Sequence, residues 1–80
     1  MIPIQDLLNK IKWDKRENPS EYLIFYYDRI LKKLIKIPYM KIKSLEGSFM
    51  VLDNEDESDI PLHRIKKVMK SNEVVWERKI

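Results

Sequence analysis

Four side chains stand out for the chemistry that they could do: Arg29, His63, Arg64 and Arg78. A guanidinium presents a rigid fork of N–H donors that matches two oxygens of a phosphate at once. An imidazole beside such forks can donate to the same oxygens. Aromatic residues accompany them: Tyr26 and Tyr27 precede Arg29, Trp76 precedes Arg78, and Trp13 follows the first apolar stripe. Each could stack on an unpaired base. Together these residues describe the binding of a phosphorylated, base-bearing ligand.

Several kinds of catalysis are excluded by count. With no cysteine and one histidine, neither a thiolate zinc site nor an imidazole cluster can form, and no cofactor is expected. Nothing near His63 has the Gly-flanked turn that exposes a serine nucleophile, and no phosphate-binding glycine loop is present. Two-histidine hydrolysis of a phosphodiester is ruled out. One histidine aided by a Lys or Tyr leaves a second reading, a phosphodiesterase with His63 as general acid or base and arginines stabilising the transition state. A third is a protein-interaction module. Against all three stands a structural role, with His63 a satisfied core residue and the arginines in surface ion pairs.

The element that must position these groups runs from Ile60 to Arg78. A two-residue turn at Ser71-Asn72, with Asn72 accepting a positive φ, predicts a hairpin pairing Lys70 with Glu73, Met69 with Val74, Val68 with Val75 and Lys66 with Glu77. The inner face of this hairpin is then Ile65, Lys67, Met69, Val74, Trp76 and Arg78. If the strand stays extended back through Leu62, His63 joins that face diagonal to Arg78 while Arg64 points away. Two geometries follow. In the first, which the register favours, His63, Arg78 and Arg29 hold a phosphate and Arg64 meets the backbone outside. In the second, a turn at Pro61-Leu62-His63 sends Arg64 inward and leaves His63 donating to a backbone carbonyl.

The remaining chain supplies the support. Ile4, Leu7, Leu8 and Ile11 fall at helical spacing after Pro3, and Trp13 reads as a lid on the core more readily than as a stacking platform. Asn18-Pro19 marks a loop. Glu21 to Ile30 reads as a central strand, apolar on both faces, that ends in a salt-bridged Asp28-Arg29 pair. Leu34 to Ile37 is a second strand stopped by Pro38. Tyr39 to Gly47 fits a short helical turn or irregular chain, Gly47 allows a bend, and Ser48 to Leu52 is a third strand. Acids alternate from Asp53 to Asp59 as in a calcium loop, but the central Gly and the terminal bidentate Glu are missing, so a solvated loop is expected. The predicted fold is α+β: an N-terminal helix packed on a curved, barrel-like antiparallel sheet of about five strands.

Eighty residues, 44% of them hydrophobic, imply one domain spanning 1–80 and modest stability. Apolar runs are too short for a membrane span and the start is unlike a signal peptide, so the chain is expected in the cytoplasm with no membrane partner. Net charge is +3, yet five of the 13 acids lie in 53–59, which leaves the body at +8. That excess favours a polyanion such as nucleic acid, or serves solubility alone. No oligomeric state follows from the pattern.

Four stretches, taken together, resemble one family over nearly the whole chain: Leu8-Asn9-Lys10-Ile11-Lys12-Trp13-Asp14, Tyr26-Tyr27-Asp28-Arg29, Ile60-Pro61-Leu62-His63-Arg64-Ile65 and Val74-Val75-Trp76-Glu77-Arg78. They are similar to the successive signatures of the RNA cyclic group end recognition domain family. Where that family commonly has Gly at the hairpin, this chain has Asn72, which tolerates the left-handed conformation. The resemblance implies recognition of single-stranded RNA ends bearing a phosphate or cyclic phosphate, without catalysis, in RNA repair or processing. It also implies association with RNA-processing or phosphoesterase proteins. The positions it carries over are Arg29, His63, Arg64 and Arg78, with Trp13 and Trp76 as the aromatic ones.

Overall fold

The structure, a computed structural model, describes residues 3–53 and 58–78. A ten-residue helix, α1 (Ile4–Trp13), begins behind Pro3, whose fixed φ of −61° suits a helix entrance. Among the described residues seven strands follow: β1 (Tyr22–Asp28), β2 (Lys33–Pro38), β3 (Ile42–Glu46), β4 (Phe49–Leu52), β5 (Asp59–Pro61), β6 (Ile65–Lys70) and β7 (Glu73–Glu77). They form two antiparallel sheets, one of four strands in the order β2-β1-β6-β7 and one of three in the order β3-β4-β5. The α+β class and the N-terminal helix stand. The single barrel-like sheet of about five strands does not: among the described residues the strands form two sheets and no closed barrel. The stretch 39–47 splits into a 3₁₀ turn at Tyr39–Lys41 and the extra strand β3. Another 3₁₀ turn, at Leu62–Arg64, cuts the long strand expected from Leu62 onward, so β5 and β6 belong to different sheets.

One core joins these parts. Ile4, Leu7, Leu8 and Ile11 of α1 pack with Ile24, Ile65, Val68 and Trp76 of the larger sheet and Met50, Leu52 and Ile60 of the smaller one. Full burial of each aliphatic side chain contributes about 1.5–3 kcal/mol, so the helix stripe is a major share of what holds the sheets together. Tyr39 is buried in the same core, and its hydroxyl donates to the Leu8 carbonyl at 2.9 Å. Burial there raises the phenol's pKa.

Two irregularities change the predicted faces. A register shift lies between Phe25 and Tyr26 on the β1–β6 ladder, and another between Val68 and Met69 on β6–β7. Lys70 pairs with Glu73 and Met69 with Val74 as expected, but Val68 then meets Trp76 and Lys67 meets Glu77, displacing the predicted Val68–Val75 and Lys66–Glu77 pairs. An extra residue in a ladder flips the alternation beyond it. The buried set is therefore Ile65, Val68 and Trp76, while Val74 and Val75 are exposed and Lys67 and Met69 only half-buried. Both turn residues take positive φ, Ser71 at 47° and Asn72 at 71°, the signature of a type I′ hairpin turn. The solvated-loop reading of the acidic run falls largely on residues 54–57, outside the described residues.

Candidate nucleic-acid interface

The 3₁₀ turn at Leu62–Arg64 decides where the sequence-selected cations go. Pro61, at φ −59° and ψ 135°, leads into it, and Leu62 is drawn into the core. Successive residues of a 3₁₀ turn are about 120° apart, so His63 and Arg64 leave the turn in different directions. His63 lines one cleft together with Arg78; Arg64 lines a second with Arg29. The four side chains do not converge on one point.

The first cleft has a volume of about 530 Å3 and is walled by Pro3, Ile4, Gln5, Ser48, Leu62, His63, Trp76 and Arg78. Three hydrogen bonds tie its walls together. Gln5 Nε2 donates to the Gly47 carbonyl at 3.2 Å, the Leu62 N–H to the Ser48 carbonyl at 2.8 Å, and Arg78 Nη1 to the His63 carbonyl at 3.0 Å. Gly47 holds φ at +58°, a conformation that other residues adopt at a cost, and this bend brings the β3–β4 turn to the start of α1. The Arg78 guanidinium lies 5.3 Å from the centre of the Trp76 ring. Stacked on an indole and anchored through one nitrogen, it is held in place before any ligand arrives.

The electrostatics of this cleft are one-sided. No carboxylate is among its lining residues. Pro3, Ile4 and Gln5 at the start of α1 form one wall; the N-terminus of this helix has no side-chain cap, and the one acid of its first turn, Asp6, is not among the lining residues. An anion suits such a place.

The second cleft, about 340 Å3, is lined by Tyr26, Asp28, Arg29, Ile30, Leu52, Ser58, Asp59, Ile60 and Arg64. Its charges are mixed, two guanidinium groups against two carboxylates. Asp28 does not close the strand by pairing with Arg29: its Oδ1 accepts from the N–H groups of Ile30 at 2.8 Å and Leu31 at 3.0 Å and so caps the turn into β2. Burial raises the pKa of the Tyr26 phenol, and the charge of Asp28 adds to it. Tyr27, one position on, points to the opposite face of the sheet and is exposed.

Trp13 is not a core lid. It is 73% exposed, with the Lys12 ammonium 5.2 Å from its ring centre. Trp76 is buried, and its ring is a wall of the first cleft. Sequence reasoning passed over Gln5 and Ser48 in that cleft. Gln5 lies off the apolar stripe of α1, and nothing in residue type announces that Gly47 folds Ser48 back onto the helix start. It also passed over a polar cluster that lines neither cleft, in which the Tyr22 hydroxyl and Lys70 Nζ both donate to Glu17 Oε2, the lysine at 3.2 Å. Those two bonds hold the Glu17 carboxyl below its usual range.

A small basic α+β module with an anion-suited cleft where the helix start meets both sheets is the class that this geometry defines. The chain belongs to the MJ1316 RNA cyclic group end recognition domain family, whose profile matches residues 1–78. Its relatives include a UPF0248 protein of Saccharolobus islandicus, 30% identical over 80 residues with 96% of this chain and all of the relative covered. A UPF0248 protein of Metallosphaera sedula is 33% identical over 77 residues, covering 96% of this chain and 94% of its own. One from Saccharolobus solfataricus is 28% identical over 80 residues, at 96% and 98%. No solved structure matches the chain. Among the described residues no helix is long and apolar enough to cross a membrane.

Proposed function

We propose that the chain is a non-catalytic module that binds single-stranded RNA ends carrying a phosphate or cyclic phosphate, in RNA repair or processing. The observation that carries this reading is the first cleft: a pre-anchored guanidinium, an imidazole and an uncapped helix start with no carboxylate in the lining. The family's name points to the same ligand. In this reading Arg78 and His63 hold the terminal phosphate, and Arg29 and Arg64, in the mixed-charge second cleft, meet the chain's backbone farther along. Tyr26 and Trp76 shape the two clefts from the side; Trp13 and Tyr27 are solvent-facing rings for bases outside them. Binding rather than turnover is favoured because the first cleft offers one imidazole and, among its lining residues, no Lys, Tyr or carboxylate to share proton transfer with it.

The test is a titration of one short oligonucleotide with a 2′,3′-cyclic phosphate end and of the same sequence with a hydroxyl end, each at two salt concentrations. Tighter binding of the cyclic end, with dissociation constants roughly micromolar and rising with salt, is expected. Equal affinity for the two ends would remove end recognition. Release of an opened phosphate after prolonged incubation, abolished in His63→Ala, would transfer the assignment to a phosphodiesterase.

A further inference from the structure

The face of the four-stranded sheet turned away from α1 is uncovered, and its composition is uneven. Tyr22 and Ile24 of β1 point into the core, which places Leu23, Phe25 and Tyr27 on the other side. Phe25 pairs with Lys36 on β2 and with Lys67 on β6; Leu23 pairs with Met69. Phe25, one of two rings about 6.6 Å apart along the central strand, is thus flanked by an ammonium group on each side, while Tyr27 pairs with Leu34 on β2. The Lys67 ammonium lies 4.6 Å from the centre of the Phe25 ring. Tyr27 is 37% exposed and Phe25 half-buried, so both rings can be reached from solvent.

We infer that this face is a stacking platform for the unpaired bases of an RNA strand, with Phe25 and Tyr27 under successive bases and Lys36 and Lys67 on the phosphates between them. The inference rests on the RNA-binding reading above but concerns a different surface. Charge selects the occupant. Aromatic rings interleaved with lysines suit a ligand that is planar and anionic at each repeat, and stacking accepts any base. A second copy of this chain would set the lysines of one face against the lysines of the other, which is repulsive. Glu77, opposite Lys67, is a carboxylate at the margin of the face and leaves the β1–β2 side to the cations.

The experiment uses Phe25→Leu and Tyr27→Leu, alone and together, because leucine keeps apolar cover on a strand while removing the ring. Each variant is titrated with an eight-nucleotide single-stranded RNA in its cyclic-ended and hydroxyl-ended forms, and with a cyclic mononucleotide too short to reach the sheet. Melting temperature is checked in parallel. The double variant is expected to bind both octamers roughly tenfold or more weakly, with their ratio unchanged and the mononucleotide unaffected. Lys36→Glu should add to that loss and lessen the salt dependence. Octamer binding equal to the parent in the double variant would overturn the platform and leave end recognition standing. Loss of octamer affinity from a parent that cannot tell the two ends apart would support the platform and remove end recognition instead. Parent protein that binds neither octamer overturns both. Concentration-dependent dimerisation abolished by Phe25→Leu would give the face to a second copy.

Discussion

Arg78→Ala is the sharpest probe of the first cleft, because the structure separates what the side chain does for the fold from what it offers a ligand. Within the protein the guanidinium makes one hydrogen bond to the His63 carbonyl and one stacking contact with Trp76. The first contributes about 0.5–1.5 kcal/mol and the second, at a partly exposed site, about 0.5–1 kcal/mol. The variant should therefore lose roughly 1–2.5 kcal/mol of stability, several degrees of melting temperature or more in a domain of this size. Toward the ligand it loses charge-assisted hydrogen bonds of about 1.5–3 kcal/mol, a weakening of roughly 10- to 150-fold for a cyclic-ended RNA. Arg78→Lys keeps the charge but not the fork, so it should restore part of the affinity at low salt and little of the end preference. The assay is fluorescence anisotropy with both end forms, alongside thermal melts. If Arg78→Ala weakened the two forms equally while Arg64→Ala erased the difference between them, the first cleft would not be where the end is read.

Other outcomes follow from neighbouring observations. His63→Ala should lower the preference for cyclic ends with little change in melting temperature, since Arg78 is anchored on the His63 backbone carbonyl, which the substitution keeps; Arg64→Ala should leave the preference intact and reduce the slope of affinity against salt by about one, read from titrations at several salt concentrations. The Glu17 carboxyl is held below the ordinary value of 4.5 by donors from Tyr22 and Lys70, so its contribution is present above that pH and lost as pH falls through the lower folded value. Melts across pH should show this acid limb shrinking in Glu17→Gln. Burial, then the bond to Glu17, pushes the Tyr22 phenol above its ordinary value of 10, so stability is complete below pH 10 and declines above it; Tyr22→Phe should remove that alkaline decline and cost about 1 kcal/mol at neutral pH. Lys32 sits at φ 56° in the β1–β2 turn, and Lys32→Gly should raise stability by about 0.5–1 kcal/mol, measurable as a higher melting temperature.

What could be read from the sequence was what repeats. The helix stripe Ile4, Leu7, Leu8 and Ile11, the central strand β1 and the Ser71-Asn72 turn each announce themselves by spacing or by turn chemistry, and each is where it was expected. What could not be read depends on single displaced residues. The bulges beside Val68 and Phe25 have no residue type that marks them, yet they choose Val68 over Lys67 and Met69 for the core. Pro61 did carry a signal, since its fixed φ suits the entrance to a turn, and the strand read as extended back through Leu62 joined what are two sheets into one. Trp13 was legible too. It lies seven positions after Asp6, two helical turns along the same side, and that side is the polar one. The candidate residues were chosen for their chemistry, and chemistry alone could not divide them between two clefts, because the division comes from the 120° step of one short turn.

The order β2-β1-β6-β7 has a consequence for how the chain must assemble. Among the described residues every ladder but one joins strands that follow each other in sequence; β1–β6 is the exception and pairs distant residues, Tyr26 with Ile65 among them. The whole three-stranded sheet is an excursion inside the loop that this ladder closes. Bringing the ends of about 40 residues together costs roughly 3 kcal/mol of chain entropy before any of the long-range contacts repay it. The local hairpins can form and melt independently on a fast timescale, but the first cleft draws its walls from α1, the β3–β4 turn, the Leu62–Arg64 corner and the end of β7. The ligand-competent surface is therefore a product of the tertiary assembly of distant segments and of no single hairpin.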